Sequence, residues 1–209
     1  MSNQVGFTLS VLVMMLMMGL SYQIACETGW YAHSVRLAFK GLTTLFAAML
    51  ALYAYTQNGH VYALIMADGI VLCAVADVLL ELHFLTGMAC FAAGHLFYIA
   101  SFWMRTRPGT ISLQLFIVLF ILCTLAAFWA RKKVSFPLLP LYLYSLIISL
   151  MVASALGQTP LVFLGAVLFI LSDTIIGRRM VFPDKKPWNR PCIALYYSAQ
   201  FILAVSLLI

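Results

Sequence analysis

Apolar runs of roughly 17–23 residues, each long enough to cross a bilayer, recur along this chain with only short clusters of charge between them. In lipid every backbone N–H and C=O must be satisfied internally, so a chain built from such runs folds as a helical bundle. A β-barrel would instead show segments of about 10 residues with alternating polarity, and none appear. The composition agrees: of 209 residues 65% are hydrophobic and 9% charged, which does not suit a soluble domain. The expected fold class is all-α, a polytopic membrane protein with about eight transmembrane helices in one integral membrane domain, residues 1–209. The spans are expected at about 5–25, 34–55, 61–82, 86–104, 110–130, 136–156, 159–178 and 191–209. The first run lacks the basic n-region of a signal peptide, and Gln23-Ile24-Ala25-Cys26 is a poor lipoprotein cleavage box. It is read as a retained helix.

Eight spans put both termini on one side of the membrane. Arg36, Arg131, Lys132, Lys133, Arg178, Arg179, Lys185, Lys186 and Arg190 fall on one side, and only Arg105 and Arg107 on the other. The positive-inside rule makes the basic side cytoplasmic and both termini external. A bacterial inner membrane is the expected location. The net charge of +6 therefore reports topology and headgroup contact rather than nucleic acid. Cys26, Cys73, Cys90, Cys123 and Cys192 are scattered without CxxC spacing and read as small apolar packing residues.

Two stretches read almost alike: Gly69-Ile70-Val71-Leu72-Cys73-Ala74-Val75-Ala76-Asp77-Val78-Leu79-Leu80 and Gly165-Ala166-Val167-Leu168-Phe169-Ile170-Leu171-Ser172-Asp173-Thr174-Ile175-Ile176. Each sets an aspartate inside an apolar helix. A carboxylate in lipid is costly unless paired or protonated, which makes it a functional candidate by default. The two spans are four apart and run in the same direction, as a parallel duplication of a four-helix unit predicts. Ala93-Gly94-His95-Leu96 against Ser198-Ala199-Gln200-Phe201 extends the echo.

Depth adds to the pattern. Asp77 and Asp173 each lie about five residues from the cytoplasmic end of their spans, and Lys40 about five residues into its own. At 1.5 Å per residue all three share a layer roughly 8 Å inside the boundary. His95, Tyr98 and Gln200 fall nearer the midplane, so the polar residues form a funnel opening to the cytoplasm. Asp68, nine residues before Asp77, is on the opposite helix face and reads as an interfacial or helix-pairing residue. Glu81, one turn from Asp77, either lines the mouth or is a solvated helix end.

Asp77, Asp173 and His95 are thus the candidate catalytic residues, with Lys40, Tyr98, Ser172, Tyr197 and Gln200 as candidate substrate contacts. Each also has an ordinary reading. Lys40 can snorkel to headgroups. His95 can be an interhelical hydrogen-bonder. Ser172, Tyr98 and Tyr197 can be packing residues, and the aspartates can form a structural ion pair with Lys40. No metal is expected, because only His95 is deep and no HxxxH or HExxH occurs. No GxSxG elbow or Gly-rich phosphate loop is present. Two carboxylates in a low-dielectric site suit acid–base hydrolysis, since desolvation and mutual repulsion leave one protonated while the other stays ionised. A transporter or a non-catalytic lipid-binding protein are the rival classes. Few polar residues in the outer half, apart from Asp68, count against a continuous path.

Phe39-Lys40-Gly41-Leu42-Thr43, Ala76-Asp77, Phe91 with Gly94-His95-Leu96-Phe97-Tyr98, Gly165-Ala166 with Phe169-Ile170-Leu171-Ser172-Asp173, and Tyr196-Tyr197-Ser198-Ala199-Gln200 together resemble the motifs of the YhhN-type lysoplasmalogenases. Gly41 stands where Pro often follows the Lys, and Ala76 where Gly often precedes the Asp. Both changes leave the carboxylates in place. The resemblance implies hydrolysis of the vinyl ether bond of lysoplasmenylethanolamine or lysoplasmenylcholine. The products would be a fatty aldehyde and glycerophosphoethanolamine or glycerophosphocholine. It implies a lysophospholipid and water as partners, and no cofactor.

Overall fold

A computed structural model describes residues 2–29, 32–133, 137–182 and 189–209. Among these there are eight helices and no strand: α1 (Ser2–Thr28), α2 (His33–Asn58), α3 (Val61–Leu82), α4 (Phe84–Arg105), α5 (Thr110–Ala130), α6 (Leu138–Leu156), α7 (Pro160–Val181) and α8 (Asn189–Val205). Seven are long and apolar enough to cross a membrane by length and composition. The remaining one, α8, has 17 residues. Each expected span falls on one helix. The largest discrepancy is at α8, which ends at Val205, four residues short of 209, while α1, α2 and α7 each run three residues past an expected end. Lys185 and Lys186, counted above with the basic side, lie outside the described residues, as does the middle of the 179–190 loop.

Local chemistry sets the joints. Gly59 closes α2 with φ 66°, a left-handed conformation that glycine adopts without steric cost. Pro160 opens α7 behind Thr159, whose hydroxyl accepts from Val162 N–H. Short connections then force antiparallel neighbours: α1 to α4 pack in sequence, as do α5 to α8, and the halves join through α2–α8 and α4–α6. Under a duplication of α1–α4 as α5–α8, those two joints are the same joint. The added contacts of α8 with α1 and α3 make the match approximate.

The repeated glycine that opens each echoed stretch has a matching role in both halves. A Cβ on Gly69 would come within 2.7 Å of the Tyr98 ring on α4 and 3.0 Å of Gly94 O. One on Gly165 would come within 2.9 Å of Leu203 on α8. Each glycine lets its Asp-bearing helix press against the next, the small-residue packing expected where lipid gives no hydrophobic drive. Asp77 and Asp173 ride on these tightly seated helices.

The two ends of the bundle differ. At one end, Gln4 Nε2 donates to Leu208 O and Asn58 Nδ2 to Leu207 O, tying the C-terminal residues to α1 and α2. At the other, basic end, Arg190 makes two hydrogen bonds to Glu27, joining the start of α8 to the end of α1. Helix α5 is the outlier. It packs on α6 and buries only Ser112, Ala127 and Ala130, while Ile117, Val118, Ile121, Leu122 and Leu125 face outward.

Candidate active site

The basic end holds a cavity of about 490 Å³ between α2, α3, α4, α7 and α8. Lys40, Asp77, Glu81, Ser172, Asp173 and Arg179 supply its polar wall, and Phe84, Phe91, Ile176, Met180 and Phe182 much of the rest. The three residues placed at one depth by helix counting, Lys40, Asp77 and Asp173, therefore share one chamber.

Asp77 is 2% exposed. Its Oδ2 accepts from Thr44 Oγ1 of α2 at 2.6 Å and from Tyr196 OH of α8 at 2.9 Å. Behind Tyr196 the network continues: Gln200 Nε2 donates to Tyr196 OH at 3.2 Å, and Tyr98 OH donates to Gln200 Oε1 at 2.7 Å. Each hydroxyl is thereby turned in one direction, so Tyr196 arrives at Asp77 as a donor.

Asp173, with a side chain 16% exposed, is held by other groups. Tyr144 OH of α6 donates to its Oδ2 at 2.5 Å. His95 Nε2 of α4 lies 3.2 Å from Tyr144 OH and 3.9 Å from Asp173 Oδ2. Tyr144 spends its one proton on the carboxylate, so the His95 Nε2 atom is the donor to Tyr144 and carries hydrogen. His95 Nδ1 is buried with no hydrogen-bond partner among the described residues.

These two arrangements correspond. Each aspartate takes a hydroxyl from the helix before it, α2 or α6, and reaches a polar group on the last helix of the other half, α8 or α4. Phe91 and Tyr196, which occupy equivalent positions four residues before His95 and Gln200, meet edge to face at 5.8 Å on the cavity wall. Phe169 packs edge-on against His95 at 4.6 Å and Tyr196 at 5.3 Å, forming the floor between the two networks.

Lys40 is 4% exposed, and its Nζ donates to Glu81 Oε1 at 2.8 Å. Its direct partner is thus Glu81 rather than either aspartate. Tyr22 OH donates to the same Glu81 oxygen at 3.5 Å. Glu81, 42% exposed, is a wall residue of the mouth.

The other expected contacts divide. Ser172 lines the cavity, and its hydroxyl donates to Cys192 O at 3.1 Å. Tyr98, Gln200 and His95 are fully buried behind the wall; Tyr98 and Gln200 connect to Asp77 through Tyr196, and His95 connects to Asp173 through Tyr144. Tyr197 turns elsewhere: its OH donates to Lys40 O at 3.3 Å and its ring lines a groove between α1 and α8. Asp68 is on the exposed face of α3, away from the chamber.

Thr44, Tyr144, Tyr196 and Arg179 escaped the sequence reading as site residues. Thr44 is one turn beyond Lys40, and Tyr196 one turn before Gln200, so helical spacing pointed to both. In the sequence Arg179 reads only as a topology charge. Tyr144 carries no signal in the sequence, because α6 shares no motif with α2 that would single out one of its polar residues. Among the described residues no group of three or more His, Cys, Asp and Glu side chains is placed to hold a metal ion.

Eight helices, a basic end and two carboxylates on one chamber define an integral membrane protein with a paired-acid pocket. The chain belongs to the YhhN family, which matches residues 35–207, from the first turn of α2 to the end of the bundle. Comparison with curated proteins and with solved structures gave no match.

Proposed function

We propose that this protein is a lysoplasmalogenase, hydrolysing the vinyl ether bond of a lysoplasmenyl phospholipid. The observation that carries the reading is the pair Asp77 and Asp173 on one chamber, each hydrogen-bonded by a different tyrosine. Membership of the YhhN family supports it.

The chemistry follows from enol ether reactivity. A protonated aspartate gives its proton to the β carbon, and the C=C electron pair forms the new C–H bond. The α carbon becomes an oxocarbenium ion, stabilised by the ionised carboxylate nearby. Water then bonds to the α carbon and its proton passes to a carboxylate. The resulting hemiacetal expels the glycerol oxygen, which takes a proton, and leaves a fatty aldehyde. Lys40 and Arg179 on the wall suit the phosphate of the headgroup. The basic end would face the cytoplasm.

The floor favours hydrolysis over transport. Phe169, His95, Tyr98 and Gln200 are all fully buried beneath the aspartates, which supports a pocket over a path. Purified protein incubated with lysoplasmenylethanolamine should release aldehyde in proportion to enzyme. Absence of aldehyde, with proton-dependent movement of a solute in vesicles, would replace this reading with the transporter.

A further inference from the structure

A second groove, of about 350 Å³, runs between α5, α6 and α7. Its wall is largely carbon, including Ala127, Leu141, Ile148 and Ile170. Asp173, Met180 and Phe182 belong to this wall and to the wall of the polar chamber as well, so the two spaces adjoin at Asp173. Two aromatic rings and a cation meet at the basic end of the groove. Trp129 and Phe182 stand 5.9 Å apart, and the Lys133 ammonium lies over both rings at 4.7 and 4.4 Å. One wall of the groove is α5, the span with the least buried surface.

We propose that this groove holds the single hydrocarbon chain of the lysolipid, and that Asp173 is the group that protonates it. The proposal rests on the vinyl ether reading above. A lysolipid is polar at one end and apolar at the other, and the bond to be cleaved sits where the two meet. The protein is divided in the same way, with a chamber carrying Lys40 and Arg179, an apolar groove, and Asp173 between them. A headgroup in the chamber and a chain in the groove lay the vinyl ether across Asp173. Asp77 is on the chamber alone and is held by two hydroxyls, which suits it to steady the cation and the water. One groove also matches one chain: a diacyl lipid would leave its second chain in the polar chamber, at a cost in unpaired polar surface.

Gly177 lies on the groove wall, and a Cβ added there meets nothing within 4 Å. A side chain at Gly177 starts in open space on the groove wall, so Gly177→Phe is the variant chosen to narrow the groove. The kcat/KM ratio for long-chain over short-chain lysoplasmenylethanolamine should fall by about tenfold or more in this variant. An unchanged ratio would overturn the proposal. A second measurement uses the wild-type protein and a saturated-ether lysolipid with a diazirine at the chain end. It should label residues of α5, α6 or α7 that line the groove; labelling confined to other helices would overturn the proposal. This arm needs no turnover. If wild-type protein releases no aldehyde from either substrate yet the groove is labelled, the hydrolase reading fails and the chain site stands.

Discussion

Tyr144 gives its hydroxyl proton to Asp173 at 2.5 Å while receiving one from His95 at 3.2 Å, so the histidine acts on the carboxylate through the tyrosine. Removing the hydroxyl leaves a partly buried carboxylate short of a donor, a loss of about 1–3 kcal/mol. Tyr144→Phe should therefore lower kcat by about tenfold to a hundredfold. His95→Gln should do less, and in the Tyr144→Phe background it should add almost nothing. Independent, multiplying effects in that double-mutant cycle would show that His95 acts directly.

The two aspartates themselves should be indispensable. Asn keeps the size of Asp but cannot exchange a proton, and acid–base groups contribute about 10²–10⁴-fold. Asp77→Asn and Asp173→Asn should each reduce aldehyde release by that order, and the double variant should be barely worse than either. Near-normal turnover in both single variants would make the pair structural.

Lys40 is nearly buried, and its partner Glu81 is 42% exposed. Lys40→Met removes the cation from the chamber wall, whereas Glu81→Gln removes a half-solvated charge and keeps a side-chain oxygen that can accept from Lys40. Turnover should fall about tenfold or more in Lys40→Met, the worth of one well-placed charged contact, and much less in Glu81→Gln. Equal activity of Lys40→Met and wild type would reduce Lys40 to a packing residue.

The close seat of α3 on α4 gives a stability prediction. With Tyr98 carbons 2.7 Å from where a Cβ would stand, Gly69→Val forces the helices apart and should cost about 1–3 kcal/mol. Gly177→Ala, in open space, should shift stability by about 0.5 kcal/mol or less. Denaturation in detergent compares the two.

Topology is checked separately. Arg131-Lys132-Lys133 should be cytoplasmic and the C-terminus outside. A reporter that fluoresces only in the cytoplasm should stay dark when fused to Ile209. Bright cells would reverse the assignment.

The fold was legible because lipid imposes length and polarity on every span, and the eight helices follow the apolar runs. Asp77, Asp173, Lys40 and Ser172 were legible because a polar group at a countable depth has few places to go. Side-chain direction was harder. Tyr196 and Tyr197 are adjacent in sequence and differ by about 100° on the helix, which sends one to Asp77 and the other to α1. Choosing between them needs the rotation of α8, and that is set by α2 and α7. Tyr144 depends on the approach of α6 to α4, a contact between the halves that no local pattern records. Lys40 was matched to an aspartate by depth, yet the nearer partner proved to be Glu81, one turn on.

The exchange of donors between the halves has a bearing on how this site can be built. The carboxylate of α3 relies on a tyrosine from α8, and that of α7 on a tyrosine that a histidine from α4 holds in place. Neither four-helix half encloses a finished pocket. The exposed connection at Thr106-Arg107-Pro108-Gly109 joins them outside the chamber. A chain severed there should give two pieces, neither of which holds the whole chamber, so the smallest unit that builds the pocket is a pair of halves and not a half.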